Sequence, residues 1–476
     1  MAGESTRRNF LKMSTLGLAA SAAAGSSVLS ANGSAAAAPG ELEVWVTSQN
    51  KRCARAQNIS WKTLAAAAGG VVITLDPKKQ FQTILGFGAA FTDASCYMFN
   101  QLSAPARAQL FHEMFHPSEM GLSVCRTCMG ASDYSTSVYS YDDGAEDLKL
   151  ERFSIAHDRE YILPMLREAR GANPDLFLFS SPWSPPGWMK SGGSMLGGSM
   201  RRRYIPVYAQ YFIKFLQAYA ADGVIVQAVT PQNEVDTDQD SRMPACIWPQ
   251  EYEIEFVQRL GPALRQNNLS TEIWILDHNY NLWGRAACEL DDPAVRQYSN
   301  AVAWHGYAGG AELMTRFREF HPDAAMHWTE GGPDYTAPDY LTEWARWAQT
   351  FTEVLRNGCQ SITGWNLALD EQGRPNIGPF PCGGVVTINS RSKEISRSGQ
   401  YWALAHFSRF VRRGAKRFAS EGSAQGVGHV ALEHPNGRRV LVLSNASGAR
   451  PVRVQLGETQ AEVSLEENSV TTLVWS

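Results

Sequence analysis

Both ends of the chain show the alternation of polar and apolar residues that is typical of half-buried β-strands. Near the N-terminus the alternation covers residues 41–48 and 71–77. Near the C-terminus it covers residues 430–447, where Asn436 and Gly437 separate two strand-like runs as a tight hairpin turn would. We therefore predict a β-sandwich side domain that is built from both chain ends, residues 39–80 and 413–476.

Between these ends, strand-like apolar runs alternate with the spacing of amphipathic helices. The runs cover residues 84–91, 123–130, 176–183, 224–234, 272–279, 301–309, 324–330 and 361–370. Eight strands separated by helices are typical of a closed barrel of parallel strands. No GxGxxG pattern follows the first run, which argues against a dinucleotide-binding sheet. We predict an α/β fold in which residues 81–412 form a (β/α)8 TIM barrel.

Polar and aromatic side chains stand where these apolar runs end. They are Asp93, Arg126, Trp183, Asn233 with Glu234, Asp277 with His278, His305 with Tyr307, Glu330, and Trp365 with Asn366. In barrels of this kind the chemistry lies at the carboxyl ends of the strands. Glu234 ends the fourth run, and Glu330 ends the seventh, before two glycines that allow a sharp turn. We predict that these two carboxylates face each other across the barrel mouth.

Residues 1–38 are expected to be a twin-arginine export signal, because Arg7 and Arg8 precede a mildly apolar run and a short alanine tract. Cleavage would remove Glu4 and Lys12 with the two arginines, and would change the net charge from −4 to −6. An acidic protein is not expected to bind nucleic acid. No later run is apolar enough to span a membrane. We expect a periplasmic or extracellular protein, and the sequence predicts no oligomeric state.

Two patterns suggest other chemistry. His112, Glu113 and His116 form an HExxH pattern on a predicted helix, as in zinc proteases. That helix would end at the bottom of the barrel and no third ligand follows, so we do not expect zinc catalysis. Cys125 and Cys128 form a CxxC pattern, but residues three apart on a strand point to opposite faces. We interpret most of the eight cysteines as buried thiols.

Longer motifs surround the strand ends, namely GFGAAFTDAS, SSPWSPPGWMK, YFIKFLQAYAADG with AVTPQNE, AWHGYAG, the TE of HWTEGG, GWNLALDEQGRPN and HFSRFVRRGAKR. In these motifs the chain resembles glycoside hydrolase family 30, and most closely its glucosylceramidase (acid β-glucosidase) branch. The chain departs from the family pattern at QNEVD, at TEGG, and in the loop after Asn376, which lacks the usual asparagine. These departures leave the aglycone side of the substrate open.

The resemblance implies a retaining β-glycosidase in which Glu330 is the nucleophile and Glu234 is the acid/base. It also implies a set of residues that bind the sugar or support the site, namely Asp93, Arg126, Trp183, Asn233, His305, Tyr307 and Trp365. No metal or organic cofactor is expected. The candidate substrates are a glucosylceramide-type glycolipid, an aryl or alkyl β-glucoside, a β-xyloside and a β-1,6-glucan oligosaccharide or polymer. A non-catalytic carbohydrate-binding protein is the alternative from a different class.

The proposed chemistry requires two carboxyl groups roughly 5–5.5 Å apart. One carboxylate attacks the anomeric carbon, and the other group protonates the leaving oxygen and later deprotonates water. We expect Arg126 to keep Glu330 ionised, and burial near aromatic rings to raise the pKa of Glu234.

Overall fold

The computed structural model describes residues 40–64 and 71–476. The export signal predicted for residues 1–38 lies outside the described residues and stays a prediction. Within the described part of the chain, no helix has the length and the apolar character that crossing a membrane requires. The first elements of the described residues are the strands β1 (Glu43–Ser48), β2 (Lys51–Arg55), β3 (Lys62–Thr63) and β4 (Val72–Thr83).

A sheet of nine parallel strands follows within the described residues. These strands are β5 (Gly86–Phe91), β6 (Val124–Cys128), β7 (Phe177–Ser181), β8 (Ala228–Val229), β9 (Glu272–Ile273), β10 (Ile275–Asn279), β11 (Ala301–His305), β12 (Ala325–Glu330) and β13 (Ser361–Asn366). The sheet runs from β10 through β13 to β5 and on to β9. Because β9 and β10 are two pieces of one strand that is interrupted at Trp274, the sheet closes. The predicted eight-stranded barrel is confirmed.

The fourth strand is much shorter than its sequence pattern predicts. The apolar run of residues 224–234 was expected to be one strand ending at Glu234, but only Ala228 and Val229 belong to β8. The ladder ends here because Pro231 has no backbone N–H to donate. Glu234 therefore lies in the loop after the strand and not at the strand end.

Helices surround the barrel. They are α1 (Asp93–Asn100), α2 (Ala104–Phe115), α3 (Ala156–Glu160), α4 (Ile162–Ala172), α5 (Ile205–Ala221), α6 (Gln250–Gln266), α7 (Trp283–Asp291), α8 (Pro293–Arg296), α9 (Glu312–Phe320), α10 (Trp344–Arg356) and α11 (Gly399–Ser408). Part of the barrel interior is filled by a stack of Phe177, Trp274 and His327. The rings of Trp274 and His327 are nearly parallel, with centroids 3.8 Å apart. This stack contributes to an apolar core.

The last strands return to the first ones. After a small sheet of β14 (Ala368–Leu369), β15 (Val386–Ile388) and β16 (Ile395–Arg397), the chain forms β17 (Lys416–Glu421), β18 (Val427–Glu433), β19 (Arg439–Asn445), β20 (Arg450–Leu456), β21 (Thr459–Leu465) and β22 (Ser469–Trp475). The strands β1 to β4 and β17 to β22 share one sheet, in which β1 pairs antiparallel with β22. This sheet is the predicted β-sandwich side domain, which is built from both chain ends.

The β-sandwich packs on one side of the barrel. Helices α10 and α11 contact β18, β19 and β22. On α11, the buried ring of His406 bonds to the hydroxyls of Thr47 and Thr472, each at 2.8 Å. One side chain thus links the last barrel helix to a strand from each end of the chain. All eight cysteines are free thiols, and most of them are buried.

Candidate active site

A cavity of about 500 Å³ opens at the carboxyl ends of the barrel strands. Six of the nine site residues predicted from the sequence line it, namely Trp183, Asn233, Glu234, Tyr307, Glu330 and Trp365. Arg126 and His305 do not line the cavity, but they lie against its two glutamates. Asp93 is neither in the lining nor paired with these glutamates.

Arg126 holds the site together. Its guanidinium is fully buried and donates hydrogen bonds to Glu330 Oε2 at 2.6 Å, to Asp277 Oδ2 at 2.6 Å and to Asn233 Oδ1 at 2.8 Å. It also lies 4.5 Å from the ring centroid of Trp183. Because a guanidinium is planar and its donors are fixed in direction, it sets the relative positions of all three partners.

Glu330 is the last residue of β12, beside an irregularity in the pairing of β11 with β12. Each of its carboxylate oxygens has its own donor. Oε2 accepts from Arg126, and Oε1 accepts from the hydroxyl of Tyr307 at 3.0 Å. Two directional bonds fix the plane of the carboxylate. Glu330 therefore presents a fixed oxygen pair to the cavity.

Position 331 requires glycine because the indole ring of Trp328 leaves no room for a side chain, and not because the backbone turns there. A Cβ at this position would lie 2.2 Å from the indole of Trp328, and the backbone has no left-handed conformation there. The expectation that Gly331 and Gly332 permit a sharp turn is therefore wrong. Without side chains, the backbone after Glu330 can pass directly over Trp328 and under Trp365.

Glu234 is held by its loop. Its backbone has a φ of +54°, in the left-handed region that costs free energy for residues other than glycine. Its N–H donates to the carbonyl of Asp277 at 3.0 Å, and its Oε2 accepts from Gln239 at 2.7 Å. Its Oε1 lies 3.4 Å from Nδ1 of His305 and 3.8 Å from Nδ1 of His278. The loop thus places the carboxyl group beside two imidazoles.

Asp277 is a buried acid that the family resemblance did not identify. Beside Arg126, it accepts hydrogen bonds from the hydroxyls of Ser181, Thr230 and Thr329 at 2.7–2.8 Å. Burial opposes ionisation, but the charge of Arg126, the neighbouring His305 and the bond from Thr329 hold the pKa of Asp277 well below its usual range. The strand-end pattern contained Asp277 without giving it a role. Its ionised carboxylate balances Arg126 and orients His305.

Charged neighbours shift the pKa values of the site. Burial alone would lower the pKa of His305, but Glu330, Asp277 and Glu234 raise it to about 9. Burial raises the pKa of Glu330, with Glu234 and Asp277 adding to the effect against His305 and Arg126. Burial also acts to raise the pKa of Glu234, but the neighbouring ring of His305, 3.4 Å away, and the charge of His278 lower it. The raised pKa expected for Glu234 is therefore not found.

Two tryptophans form an aromatic wall of the cavity. Trp183 and Trp365 stack with ring centroids 4.9 Å apart, and Tyr134 meets Trp365 edge-on. The hydroxyl of Tyr134 donates to the carbonyl of Phe380 at 2.7 Å and accepts from the N–H of Cys382 at 2.8 Å. These bonds tie the loop of residues 380–382 to the same wall. Such a wall offers an apolar surface to the faces of a pyranose ring.

The carboxylate of Asp93, which was predicted to bind the sugar, makes its hydrogen bonds to other residues of the protein. Its carboxylate accepts from the N–H of Thr136 at 2.6 Å and from the hydroxyl of Tyr161 at 2.8 Å, and it pairs with His157 at 2.7 Å. Asp133 lines the cavity instead, and its buried Oδ1 has no partner in the protein. Burial, with the charges of Glu330 and Glu234, raises the pKa of Asp133. We therefore propose Asp133 as an acid that faces a ligand, and the sugar-binding role of Asp93 stays a prediction.

The HExxH pattern does not form a second site. Glu113 pairs with Arg397 at 2.6 Å and also accepts from Tyr401, so its carboxylate is committed to structure. Among the described residues, only one group of three potential metal ligands converges, and it consists of Glu234, His278 and His305.

Comparison with known families matches the fold and the site region. Residues 84–411 match the glycosyl hydrolase family 30 TIM-barrel domain, and residues 414–473 match the glycosyl hydrolase family 30 beta sandwich domain. An endo-1,6-beta-D-glucanase of Neurospora crassa is 33% identical over 428 residues, which cover 84% of this chain and 88% of that protein. The lysosomal acid glucosylceramidase of Mus musculus is 30% identical over 400 residues, which cover 79% and 78% of the two chains.

Solved structures agree with these matches. The endo-beta1,6-glucanase BT3312 superposes with a TM-score of 0.83 at 29% identity, over 92% of this chain and all of that chain. SrfJ from Salmonella typhimurium superposes with a TM-score of 0.87 at 27% identity, over 91% of this chain and 99% of that chain. The chain therefore belongs to glycosyl hydrolase family 30, and it is a glycoside hydrolase.

Proposed function

We propose that the protein hydrolyses β-glucosidic bonds with retention of configuration, with Glu330 as the nucleophile and Glu234 as the acid/base. The bonds of Glu330 carry the assignment. A carboxylate that accepts from Arg126 and from Tyr307 is fixed in orientation, which suits attack on one carbon atom. Glu234 has a neutral amide donor and two imidazoles as neighbours, which suits a group that gains and loses a proton.

The reaction has two steps. A carboxylate oxygen of Glu330 attacks the anomeric carbon and the glycosidic bond breaks, while Glu234 gives its proton to the leaving oxygen. A water molecule then attacks the same carbon, Glu234 takes a proton from that water, and the ester bond to Glu330 breaks. Asn233, fixed by Arg126, can donate its amide N–H to the sugar 2-hydroxyl. The products are two sugars or a sugar and an alcohol, and the enzyme is regenerated.

The first step requires a proton on Glu234, although its neighbours lower its pKa. The side chain of Glu234 is 14% exposed to the cavity. A bound sugar would remove water from it, and desolvation raises the pKa of a carboxyl group. We propose that substrate binding moves the proton of the glutamate pair to Glu234.

The side of the cavity near Glu234 favours a hydroxyl-bearing leaving group. Asp236, Gln239 and Asn279 line the cavity there, in the loop of Glu234 and at the end of the strand that carries His278. The apolar residue Phe380 is tied to the aromatic wall. Each of these side chains bonds to the protein through one polar atom, and its other polar atom is left for a ligand. A sugar hydroxyl can bond to these atoms, whereas a ceramide would cover them without offering partners. We therefore favour a β-1,6-linked glucan, as named for the Neurospora relative, and keep glucosylceramide as the second candidate.

The test compares substrates and variants. We expect the purified protein to cleave a linear β-1,6-glucan with a kcat/KM at least about tenfold above that for glucosylceramide in micelles. A factor of about ten corresponds to the free energy of one matched hydrogen bond. Glu330→Gln should lower kcat by on the order of 10³-fold or more. Glu234→Ala should recover much of its lost rate on a dinitrophenyl glucoside, whose leaving group is acidic enough to depart without a proton.

NMR of the first product should show the β-anomer. Near-normal turnover by Glu330→Gln, or an α-anomer as first product, would overturn the assignment. Glucan binding without turnover by the unaltered protein would instead indicate a carbohydrate-binding protein. Preferential cleavage of glucosylceramide would reverse the order of the two candidate substrates.

We also propose export through the twin-arginine route, on the pattern around Arg7 and Arg8. Replacing both arginines with lysine should retain the protein inside the cell, and fractionation with immunoblotting measures this. Unchanged export of the double variant would contradict the proposal.

A further inference from the structure

Three ligand atoms converge at the edge of the cavity. Oε1 of Glu234, Nδ1 of His278 and Nδ1 of His305 all lie within 4.8 Å of one another. The carboxylate oxygen is 3.8 Å from the nitrogen of His278 and 3.4 Å from that of His305. Both imidazoles are at least nine-tenths buried, and neither Nδ1 makes a hydrogen bond of good geometry.

The opposite nitrogen of each ring faces an acid. Nε2 of His278 bonds to Asp236, and Nε2 of His305 bonds to Asp277 at 3.0 Å. Since a carboxylate only accepts, each Nε2 carries a hydrogen, and the Nδ1 of each ring is left to face Glu234. An Nδ1 in this position can hold either a proton or a metal ion. A metal ion that takes the place of such protons would be bound by three converging atoms.

We propose that Glu234, His278 and His305 form a binding site for a zinc ion. Tetrahedral zinc with bonds of about 2.0–2.2 Å spaces its ligand atoms about 3.3–3.6 Å apart. The two measured separations lie within a few tenths of an ångström of that range. The acids behind the rings provide the carboxylate–histidine support that is typical of zinc ligands. Glu234 and His278 line the cavity, so the fourth position is open to water or to a sugar hydroxyl.

Zinc at this site would inhibit hydrolysis. A metal-bound Glu234 carboxylate cannot hold the proton that the leaving oxygen needs, and the ion would occupy the leaving-group side. Binding of the metal does not depend on the proposed function. The inhibition does rest on it, because it follows from the role proposed for Glu234.

Zinc binding is measured by titration calorimetry on the folded protein. The protein should carry no histidine tag, and it should carry Cys288→Ser, because Cys288 is an exposed thiol that could also bind zinc. We expect one zinc ion per chain. His278→Asn should weaken binding at least about tenfold through loss of one ligand. The control is His116→Asn, which removes one ring of the pair His112 and His116, whose centroids lie 4.4 Å apart. It should bind zinc as the parent does.

Hydrolysis of an aryl β-glucoside is then followed with and without zinc, and each protein is compared with itself. The parent and His116→Asn should be inhibited and should recover after chelation, while His278→Asn should need at least about tenfold more zinc. The proposed site would be overturned if the protein bound no zinc at a free concentration of about 100 μM, or if His278→Asn bound zinc with the same affinity as the parent. Zinc that binds through His278 without inhibiting would leave the site standing and would contradict the role proposed for Glu234.

Discussion

At the scale of single residues, the contrast between Asp133 and Asp93 can be tested directly. Asp133 faces the cavity with an unpartnered oxygen, so Asp133→Ala should lower kcat/KM for a β-glucoside about 10–100-fold, as expected for a lost hydrogen bond of ~1.5–3 kcal/mol. Asp93→Ala is the matched control. It breaks bonds to Thr136 and Tyr161 and should lower the melting temperature, with less than about a threefold change in kcat/KM.

Steady-state kinetics and thermal unfolding of both variants provide the measurements. A larger loss of kcat/KM in Asp93→Ala than in Asp133→Ala would support the sugar-binding role predicted for Asp93 and contradict the role proposed for Asp133.

The same residues show which part of the site is predictable from sequence. Glu330, His305 and Trp365 were found because each stands where an apolar run ends, and that position is set by local pattern. Asp133 follows β6 in a long irregular loop, where no periodicity marks which side chain turns toward the barrel mouth. Its distance from the cavity depends on tertiary folding of that loop, which sequence spacing does not encode.

At the scale of elements, His406 on α11 is a test of how the barrel and the β-sandwich hold together. His406→Ala would remove the bonds to Thr47 and Thr472 and leave a cavity in a fully buried place. We expect the free energy of unfolding to fall by about 2–4 kcal/mol, from a cavity and lost hydrogen bonds together. Urea unfolding measures the change, and the exposed His112→Ala, which should shift it by less than about 0.5 kcal/mol, is the control.

If His406→Ala unfolded at the same urea concentration as the parent, the imidazole of His406 would contribute nothing to the contact between the barrel and the β-sandwich.

Most barrel strands and helices were predictable because their patterns are long and regular. The two failures have local causes. In the fourth run, the hydrogen-bonded pairing of the strand stops before Pro231. The fifth strand is interrupted at Trp274, whose backbone N–H donates to the carbonyl of Val229 at 2.9 Å. Hydrophobic periodicity predicts which side chains are buried. It does not predict which backbone N–H and C=O groups have a hydrogen-bond partner.

At the scale of the whole molecule, buried histidines make stability depend on pH. Burial lowers the pKa of His327 and of His406 to about 3. At a pH well above ~6.5 both rings are neutral in the folded and in the unfolded chain. As the pH falls from there toward 3, the two imidazoles bind protons in the unfolded chain but not in the folded chain, so the free energy of unfolding decreases.

Urea unfolding between pH 7.5 and 4.5 measures this loss. His327→Gln should be less stable than the parent at pH 7.5, and its stability should fall less steeply as the pH is lowered. Parallel pH curves for the two proteins would contradict the prediction.

The overall architecture was predictable only in part at this scale. Alternation of polar and apolar residues at both chain ends indicated strands of a common side domain. The pairing itself, in which Glu43 stands opposite Val474, joins residues from the two ends of the chain, and no local pattern specifies such a register.

This pairing has a consequence for biosynthesis. A ribosome adds roughly 5–20 residues per second, so β1 emerges roughly 20–90 s before β22 exists to pair with it. During that time β1 has only β2 as a neighbour in the sheet, and its other edge can pair with another chain. The residues of β22 therefore protect β1 from aggregation. A nascent chain that stalls before β22 would be a target for chaperones even when its barrel is complete.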